Sequence, residues 1–293
     1  MQARDFDLFL PNLRVAARAW GDPSLPKLLA LHGWLDNAAS FDRLAPLLCG
    51  HFHIVALDLP GHGRSGWRAA GAWYHYVDYL GDVLAAADAL GWQTFGLLGH
   101  SLGGAVASVL AAACQQRIES LLLIEALGPL ASDPAQSLTL LQKALNERAG
   151  VGEKNLRVFA DVATAIAARR QANGLSETAA ALLVARGIKA VEGGYSWSSD
   201  PRLTLTSPQR YLEEQIINVL SGIQAPTLLL LAQPEQPYLK REMIDRRIAH
   251  VTDIEVHRLS GTHHLHLEDP QPVAAEILAF AQRRALPIAV FDR

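Results

Sequence analysis

Short runs of consecutive apolar residues recur along the chain, and each run ends at a turn-forming or polar residue. The runs cover residues 28–31, 54–57, 95–98, 121–124, 227–231 and 254–259. Continuous apolar runs of this length are typical of strands buried on both faces, as in a parallel sheet. Helical stretches lie between them, at residues 76–90, 103–114 and 270–284. The alternation predicts an α/β fold with a mostly parallel central sheet flanked by helices, and residues 14–20 are interpreted as an edge strand ahead of the parallel core.

The alternation of strands and helices stops between Gly128 and about Tyr211. This segment is rich in Ala, Arg, Gln and Glu, and its pattern predicts several helices without a convincing strand. We therefore predict a helical cap, or lid, inserted at residues 128–211. The core domain would then consist of residues 1–127 and 212–293.

Composition narrows the class of protein. The net charge is -3, so no basic face remains to neutralise phosphates, and nucleic acid is not expected as a partner. The two cysteines, Cys49 and Cys114, are too far apart in sequence to indicate a disulfide framework or a metal site. The most apolar window, residues 95–114, contains a cluster of glycines typical of a turn, so we interpret it as strand, turn and buried helix instead of a membrane span. A cytoplasmic protein is expected.

The turn inside this window carries the strongest chemical motif. Gly99-His100-Ser101-Leu102-Gly103 matches the pattern G-x-S-x-G, in which a serine nucleophile sits on a sharp turn between a strand and a helix. Glycine at both ends avoids side chains that would collide in the turn. The free N–H groups at the start of the following helix favour a developing negative charge. The alternative is a glycine-rich turn that contains a serine by chance.

Two backbone amides are candidates for an oxyanion hole. In a turn of this kind one N–H comes from the residue after the nucleophile, here Leu102, and the other from the loop after an earlier strand. His32-Gly33-Trp34 follows such a strand, which makes Trp34 the second candidate. The alternative for Trp34 is a tight turn with an aromatic side chain packed on it.

Histidines cluster after the last predicted strand. His263, His264 and His266 precede a predicted helix that begins near Pro270, so they are expected in a loop at the carboxyl end of a parallel sheet, where catalytic groups gather. Three histidines could hold a metal, but no cysteine or carboxylate cluster completes a set of ligands with good spacing. One catalytic base with two structural neighbours is the interpretation adopted, without a metal.

Four ordered motifs give the chain a resemblance to the α/β-hydrolase superfamily, especially its serine-hydrolase-like branch. They are His32-Gly33-Trp34-Leu35-Asp36-Asn37, Asp58-Leu59-Pro60-Gly61-His62-Gly63-Arg64-Ser65, Gly99-His100-Ser101-Leu102-Gly103-Gly104 and His263-His264-Leu265-His266-Leu267-Glu268-Asp269-Pro270. The resemblance covers nearly the whole chain. It implies that His263 is the base and that the motif from Asp58 to Ser65 is structural.

The catalytic acid departs from the commonest family pattern. Many members carry an aspartate after the strand at residues 227–231, where this chain has Ala232-Gln233-Pro234-Glu235. A minority branch places the acid after the preceding strand, and Glu125 occupies that place. A carboxylate at the end of a buried run is costly without a partner, and an imidazole that becomes cationic would be such a partner. Glu125 is therefore the preferred acid, Glu235 the second candidate, and an ion pair of Glu125 with an arginine the third interpretation.

These residues predict a serine hydrolase that cleaves a carboxylic ester of a small or medium acyl substrate through an acyl-enzyme. Ser101, His263 and Glu125 form the expected triad, and no metal or organic cofactor is required. Tyr195 and Trp197 are tentative residues of an acyl pocket, or alternatively part of the core of the cap. Thioester, amide or carbon–carbon bond cleavage by the same triad remains an alternative, as does a non-catalytic ligand receptor on the same fold.

Overall fold

Two sheets make up the β structure in the computed structural model, which describes residues 3–151 and 156–286. The strands are, in chain order, β1 (Arg4–Leu10), β2 (Leu13–Trp20), β3 (Lys27–Leu31), β4 (His53–Leu57), β5 (Phe95–His100), β6 (Ile118–Ile124), β7 (Val158–Phe159), β8 (Ile188–Val191), β9 (Gly194–Trp197), β10 (Thr227–Gln233) and β11 (Ile254–Ser260). The central sheet has eight strands in the order β1-β2-β4-β3-β5-β6-β10-β11. In this order, every neighbouring pair from β4 to β11 is parallel. By contrast, β2 pairs antiparallel with β4, and β1 pairs antiparallel with β2. The predicted α/β fold with a mostly parallel sheet is confirmed.

The edges of the central sheet differ from the sequence prediction. The strand expected at residues 14–20 is present as β2, but it lies inside the sheet because β1 pairs along its outer side. The sequence of β1, Arg-Asp-Phe-Asp-Leu-Phe-Leu, has the alternation of a strand with one solvated face, which the search for continuous apolar runs overlooked. At the opposite edge, β11 is only half-buried, and its charged residues alternate with apolar ones in the same way.

Helices cover both faces of the central sheet. They are, in chain order, α1 (Ala45–Leu48), α2 (Asp78–Ala89), α3 (Leu102–Ala113), α4 (Ser137–Ala149), α5 (Val162–Asn173), α6 (Glu177–Gly187), α7 (Glu213–Leu220), α8 (Arg241–Ile248), α9 (Leu265–Glu268) and α10 (Pro270–Arg283). Because successive strand residues point to opposite faces, Leu29 and Leu97 belong to a core with α2 and α3, whereas Leu28 and Leu98 belong to a core with α1 and α10. Within the described ranges, no helix combines the length and apolar character needed to cross a membrane.

The segment between β6 and α7, called the insertion below, contains more than the predicted helices. Helices α4, α5 and α6 are present, but β7, β9 and β8 also pair in that order as a small antiparallel sheet. The hairpin between β8 and β9 turns at Glu192 and Gly193, and Gly193 has a φ of +81°, which glycine adopts without steric cost. Strands of two to four residues carry too little periodicity to stand out in a sequence, so the prediction of a purely helical insertion was wrong.

A buried ion pair fastens the insertion to the core. Arg186 of α6 is 2% exposed and its Nε lies 2.9 Å and 3.0 Å from the two carboxylate oxygens of Asp58. Another guanidinium nitrogen of Arg186 donates to Asp5 on β1 at 2.8 Å. The Asp58 carboxylate also accepts the backbone N–H groups of Ala38 and Arg64, so it organises the loops after β3 and β4. This is a structural role for the motif that begins at Asp58.

We expect Arg186→Met to lower the free energy of unfolding by about 3–5 kcal/mol, because it leaves the Asp58 carboxylate buried without its cation. Urea unfolding followed by circular dichroism measures the change. Arg170→Met is the control, since Arg170 is half-exposed and its contact with Glu177 at 3.5 Å is a surface pair, for which about 0–1 kcal/mol is expected. Equal effects of the two substitutions would contradict the structural role of Arg186.

Candidate active site

Ser101 occupies a strained turn between β5 and α3. Its backbone has φ 50° and ψ −113°, in the region that residues with a side chain rarely adopt. A side chain at Gly103 would collide with the carbonyl oxygen of Leu31, and one at Gly99 would collide with the backbone of the first turn of α3. The two glycines of the motif are therefore required by the close passage of the backbone. The turn leaves the Ser101 side chain half-buried at the carboxyl edge of the sheet.

Glu125 follows the last residue of β6 and also has a positive φ, 57°. Glu125 is only 2% exposed, and its Oε2 lies 3.1 Å from Nδ1 of His263. Its other carboxylate oxygen accepts the backbone N–H of Ala232. Among the described residues no arginine pairs with Glu125, so the structure does not bring together the ion pair considered from the sequence.

Glu235 lies apart from the histidines. Its side chain is 37% exposed and approaches Arg241 at 3.8 Å and Arg258 at 3.9 Å. Both distances are long for ion pairs, and both partners are on the surface side of α8 and β11. Of the two acid candidates, only Glu125 contacts His263.

The three clustered histidines point to three different partners. The ring of His263 faces Glu125, while Nε2 of His264 lies 3.2 Å from the Asp36 carboxylate and Nε2 of His266 lies 2.8 Å from the Ser40 hydroxyl. His264 and His266 are buried, but the His263 side chain remains 18% exposed. The expectation that all three lie in a loop needs one correction, because His266 belongs to the one-turn helix α9.

Ser101 directly follows β5, and His263 lies in the loop after β11, at the same carboxyl edge of the parallel strands. Across the described ranges, no hydrogen bond joins the Ser101 hydroxyl to the His263 ring. Catalytic hydrogen bonds in unliganded proteins are often long and shorten only when substrate binds. The edge of the Tyr238 ring packs on His263, with 5.2 Å between ring centroids, and covers part of the imidazole.

The two amides considered for an oxyanion hole lie on neighbouring segments. The N–H of Gly103 donates to the carbonyl of His32 at 3.0 Å, which ties the loop after β3 to the first turn of α3. In the described part of the chain, neither the N–H of Trp34 nor that of Leu102 donates to a protein group. The indole N–H of Trp34 donates to the Leu203 carbonyl of the insertion at 3.0 Å. Both backbone donors are therefore available to an acceptor outside the chain.

The aromatic pair of the insertion lies on β9. The ring of Trp197 packs edge-on against Phe159, with centroids 4.9 Å apart, and Tyr195 is paired with Phe159 across the small sheet. Trp197 also borders a cavity of about 70 Å³ between the insertion and the loop after β3, whose lining includes Asp36 and Arg169 but neither Ser101 nor His263. A role of Trp197 or Tyr195 toward an acyl chain stays a prediction.

A second polar cluster lies behind His263 and was missed in the sequence. Nδ1 of His100 is 3.7 Å from Asp36 Oδ2, His264 contacts the same oxygen, and Arg169 of α5 pairs with Oδ1. Asp36, His100 and His264 could offer three ligand atoms to a metal ion, since those atoms lie within 4.8 Å of one another. However, a guanidinium already neutralises this carboxylate. Asp36 and His100 belong to two of the motifs quoted from the sequence, so the sequence did single out both residues. It did not predict their proximity, because they lie far apart along the chain.

The family can now be stated. A family profile described as the α/β hydrolase fold matches residues 26–230. The chain therefore belongs to the α/β-hydrolase fold family, in agreement with the sheet order and with the turn at Ser101.

Its relatives place it in the serine-hydrolase-like branch of that family. The chain is 31% identical to the serine hydrolase-like protein of Danio rerio over 289 residues, which cover 96% of this chain and 89% of the relative. A crystal structure of a hypothetical protein from Pseudomonas aeruginosa PAO1 is 41% identical, has a TM-score of 0.90 and covers 95% of this chain and 99% of that one. A thioesterase domain from the curacin biosynthetic pathway is 28% identical, with a TM-score of 0.84 and coverage of 95% and 100%. These similarities define the chain as a hydrolase.

Buried neutral histidines make the stability of the folded protein depend on pH. Burial lowers the pKa of His32 to about 4 and those of His62 and His266 to about 3, and it holds the pKa of His100 well below its ordinary value. The folded-state pKa values are lowered, so the unfolded chain binds more protons below pH 6.5, the ordinary histidine value. Stability is therefore fully present above that pH and is lost as the pH falls toward the folded values.

We expect the free energy of unfolding to decrease between about pH 6 and pH 4 with a slope near 1.4 kcal/mol per pH unit for each such histidine. Urea unfolding over this range measures the slope. His62→Gln should reduce this slope by about 1.4 kcal/mol per pH unit, the contribution of one bound proton. A stability that is independent of pH in this range would contradict the burial of neutral histidines.

Proposed function

We propose that this protein hydrolyses carboxylic esters of small or medium acyl chains through an acyl-enzyme on Ser101. The observation that carries the proposal is the pair formed by Glu125 and His263, 3.1 Å apart, at the sheet edge where the Ser101 turn also lies. The order Ser101, Glu125, His263 is the chain order of catalytic groups in this fold. No metal or organic cofactor takes part in the proposed reaction.

The proposed mechanism assigns each ring nitrogen of His263 a role. Nδ1 carries a hydrogen and donates to Glu125, so Nε2 has the free lone pair and can take the proton of the Ser101 hydroxyl. The serine oxygen attacks the ester carbonyl carbon, the carbon–oxygen bond of the leaving alcohol breaks, and that alcohol receives the proton from Nε2. Water then attacks the acyl-enzyme with the same proton transfers, and the carboxylic acid leaves.

Two charges develop in the transition state, on the imidazole ring and on the carbonyl oxygen, and the site would stabilise both. Glu125 supplies a buried negative charge for the imidazolium, while the N–H groups of Leu102 and Trp34 would donate to the oxyanion. Each oxyanion donor of this kind contributes about 10²–10³ in kcat. The N-terminus of α3, with its free N–H groups, adds to the same effect because the helix dipole is positive there.

Thioester hydrolysis is the second candidate function. A thioesterase domain is among the similar structures, at 28% identity, and the same triad attacks an acyl thioester as readily as an ester. Comparison of p-nitrophenyl esters with acyl thioesters of matched chain length distinguishes the two. The aromatic side chain of Trp197 is our proposed determinant of chain length, because the insertion that carries it contacts Trp34, whose amide is a proposed oxyanion donor.

We expect Ser101→Ala to lower kcat by about 10⁴- to 10⁶-fold, because the acyl-enzyme can no longer form. The assay uses p-nitrophenyl acetate, butyrate and octanoate, and a fluorophosphonate probe should label the wild-type protein at Ser101. The far-UV spectrum of the variant should be unchanged. Persistent labelling of Ser101→Ala, or wild-type protein that neither reacts with the probe nor turns over any ester or thioester, would contradict the proposal.

We expect Glu125→Gln to lower kcat by up to about 10⁴-fold, because the imidazolium loses its counter-charge and the amide favours the wrong tautomer. Glu235→Gln is the matched control, since the same substitution at a partly exposed surface carboxylate should keep activity within a few-fold of wild type. Steady-state kinetics on p-nitrophenyl butyrate measure both. The reverse pattern would move the acid to the position that is more common in the family.

A further inference from the structure

His100, the residue before Ser101, is fully buried and takes no part in the proposed mechanism. Its Nε2 lies 2.9 Å from the backbone carbonyl oxygen of His263. A carbonyl oxygen only accepts, so Nε2 carries the hydrogen and donates it. Burial lowers the pKa of His100 far below its ordinary value, which keeps the ring neutral and leaves Nδ1 without a hydrogen. His100 therefore holds the backbone of the residue whose ring contacts Glu125.

Asp36 contacts the next residue of the same loop, His264. Its Oδ2 accepts from Nε2 of His264 at 3.2 Å and faces Nδ1 of His100 at 3.7 Å, while Arg169 donates to Oδ1. Burial alone would raise the pKa of Asp36, but the contact with His264 and the Arg169 guanidinium hold it well below the ordinary value. The carboxylate is therefore ionised, and the cation that balances it comes from the insertion.

The insertion contacts the segment after β11, which carries His263 and α9, at two further points. The backbone N–H of Ser176, at the start of α6, donates to Glu268 of α9 at 2.7 Å. The side chain of Leu267 packs in a small apolar core with Leu175 and residues of α6. The insertion thus contacts the segment that carries His263 directly through a hydrogen bond and an apolar contact, and indirectly through the ion pair of Arg169 with Asp36.

We propose that Arg169, Asp36 and His264 form a chain of contacts through which helices α5 and α6 of the insertion hold the loop of His263. Together with His100, which holds the His263 carbonyl, they are positioning residues that orient the His263 ring between Glu125 and Ser101. The inference rests on the proposed function of His263 as the base. It assigns the insertion a part in the chemical step, separate from covering a substrate. A displacement of the base by about 1 Å is enough to lower a rate by about 10²-fold. Because these residues do not touch the substrate in this proposal, kcat should respond and KM should not.

Substitution of Arg169 tests the link from the insertion. We expect Arg169→Met to lower kcat on p-nitrophenyl butyrate by about 10- to 100-fold with KM within about threefold of wild type. Arg169→Lys should recover part of the loss, since an ammonium keeps the charge beside Asp36 but lacks the planar fork. Arg170→Met removes the neighbouring arginine of the same helix, whose contact with Glu177 is exposed, and should leave kcat unchanged. Equal losses in Arg169→Met and Arg170→Met, or no loss in either, would overturn the inference.

A second pair of variants tests the contact at His100. The amide of Gln in His100→Gln can still donate to the His263 carbonyl, whereas His100→Leu has no donor. With folding confirmed by urea unfolding, kcat should be higher for the glutamine variant than for the leucine variant. Folded variants of equal activity would overturn the role of His100.

A spectroscopic measurement separates this inference from the proposed function. NMR of protein labelled with ¹⁵N in the histidine rings reports the tautomer of His263 without any turnover. We expect one tautomer, protonated at Nδ1, in wild type and in Arg170→Met, and averaged ring signals in Arg169→Met. If wild type hydrolyses no ester, the proposed function fails, yet altered His263 signals in Arg169→Met would still support positioning. Unaltered His263 signals in that variant would overturn it.

Discussion

Parallel pairing between β5 and β6 determines where the central groups of the site lie. His100 pairs with Ile124 in the register of these strands, so Ser101 and Glu125 are each the first residue beyond a paired strand end. The Ser101 amide donates to the Ile124 carbonyl at 3.0 Å, and the Glu125 amide donates to the Leu230 carbonyl on β10 at 2.9 Å. Adjacent strands lie about 4.8 Å apart, so one hydrogen-bond ladder brings the serine and the carboxylate together.

Backbone strain is concentrated at the same edge of the sheet. Among the described residues, Leu35, Ser101, Glu125 and Ala285 are the non-glycine residues with positive φ. Ser101 and Glu125 directly follow β5 and β6, and Leu35 lies in the loop after β3. Each such residue costs about 1–3 kcal/mol and persists only where its surroundings fix it. Here the surroundings are the two cores on either face of the sheet and the close passage of the backbone at Gly103. The strained backbone therefore coincides with the proposed nucleophile and acid, Ser101 and Glu125, and with the loop that carries the Trp34 amide.

The sequence predicted those features that depend on local pattern. Each continuous apolar run corresponds to a strand of the central sheet, and the glycines around Ser101 identified the turn. Glu125 was preferred because a carboxylate at the end of a buried run needs a partner, and His263 does contact it. The hairpin of β8 and β9 was missed because its strands are very short. The cluster around Asp36 was missed because Asp36 and His264 are 228 positions apart, and only the folded sheet brings such residues together.

The two buried carboxylates, Glu125 and Asp36, have different partners, and this difference predicts different roles for the neighbouring histidines His263 and His264. Glu125 has backbone N–H and imidazole partners but no arginine in the described ranges, so its negative charge is available to a cation on His263. The negative charge of Asp36 is already balanced by Arg169, so an imidazolium beside it would gain less. The imidazolium of the proposed mechanism would therefore lie beside an unbalanced negative charge at position 263 and beside a balanced one at position 264. The arginine from the insertion is the source of this difference, because without it the Asp36 carboxylate would stay buried beside His264 without a cation.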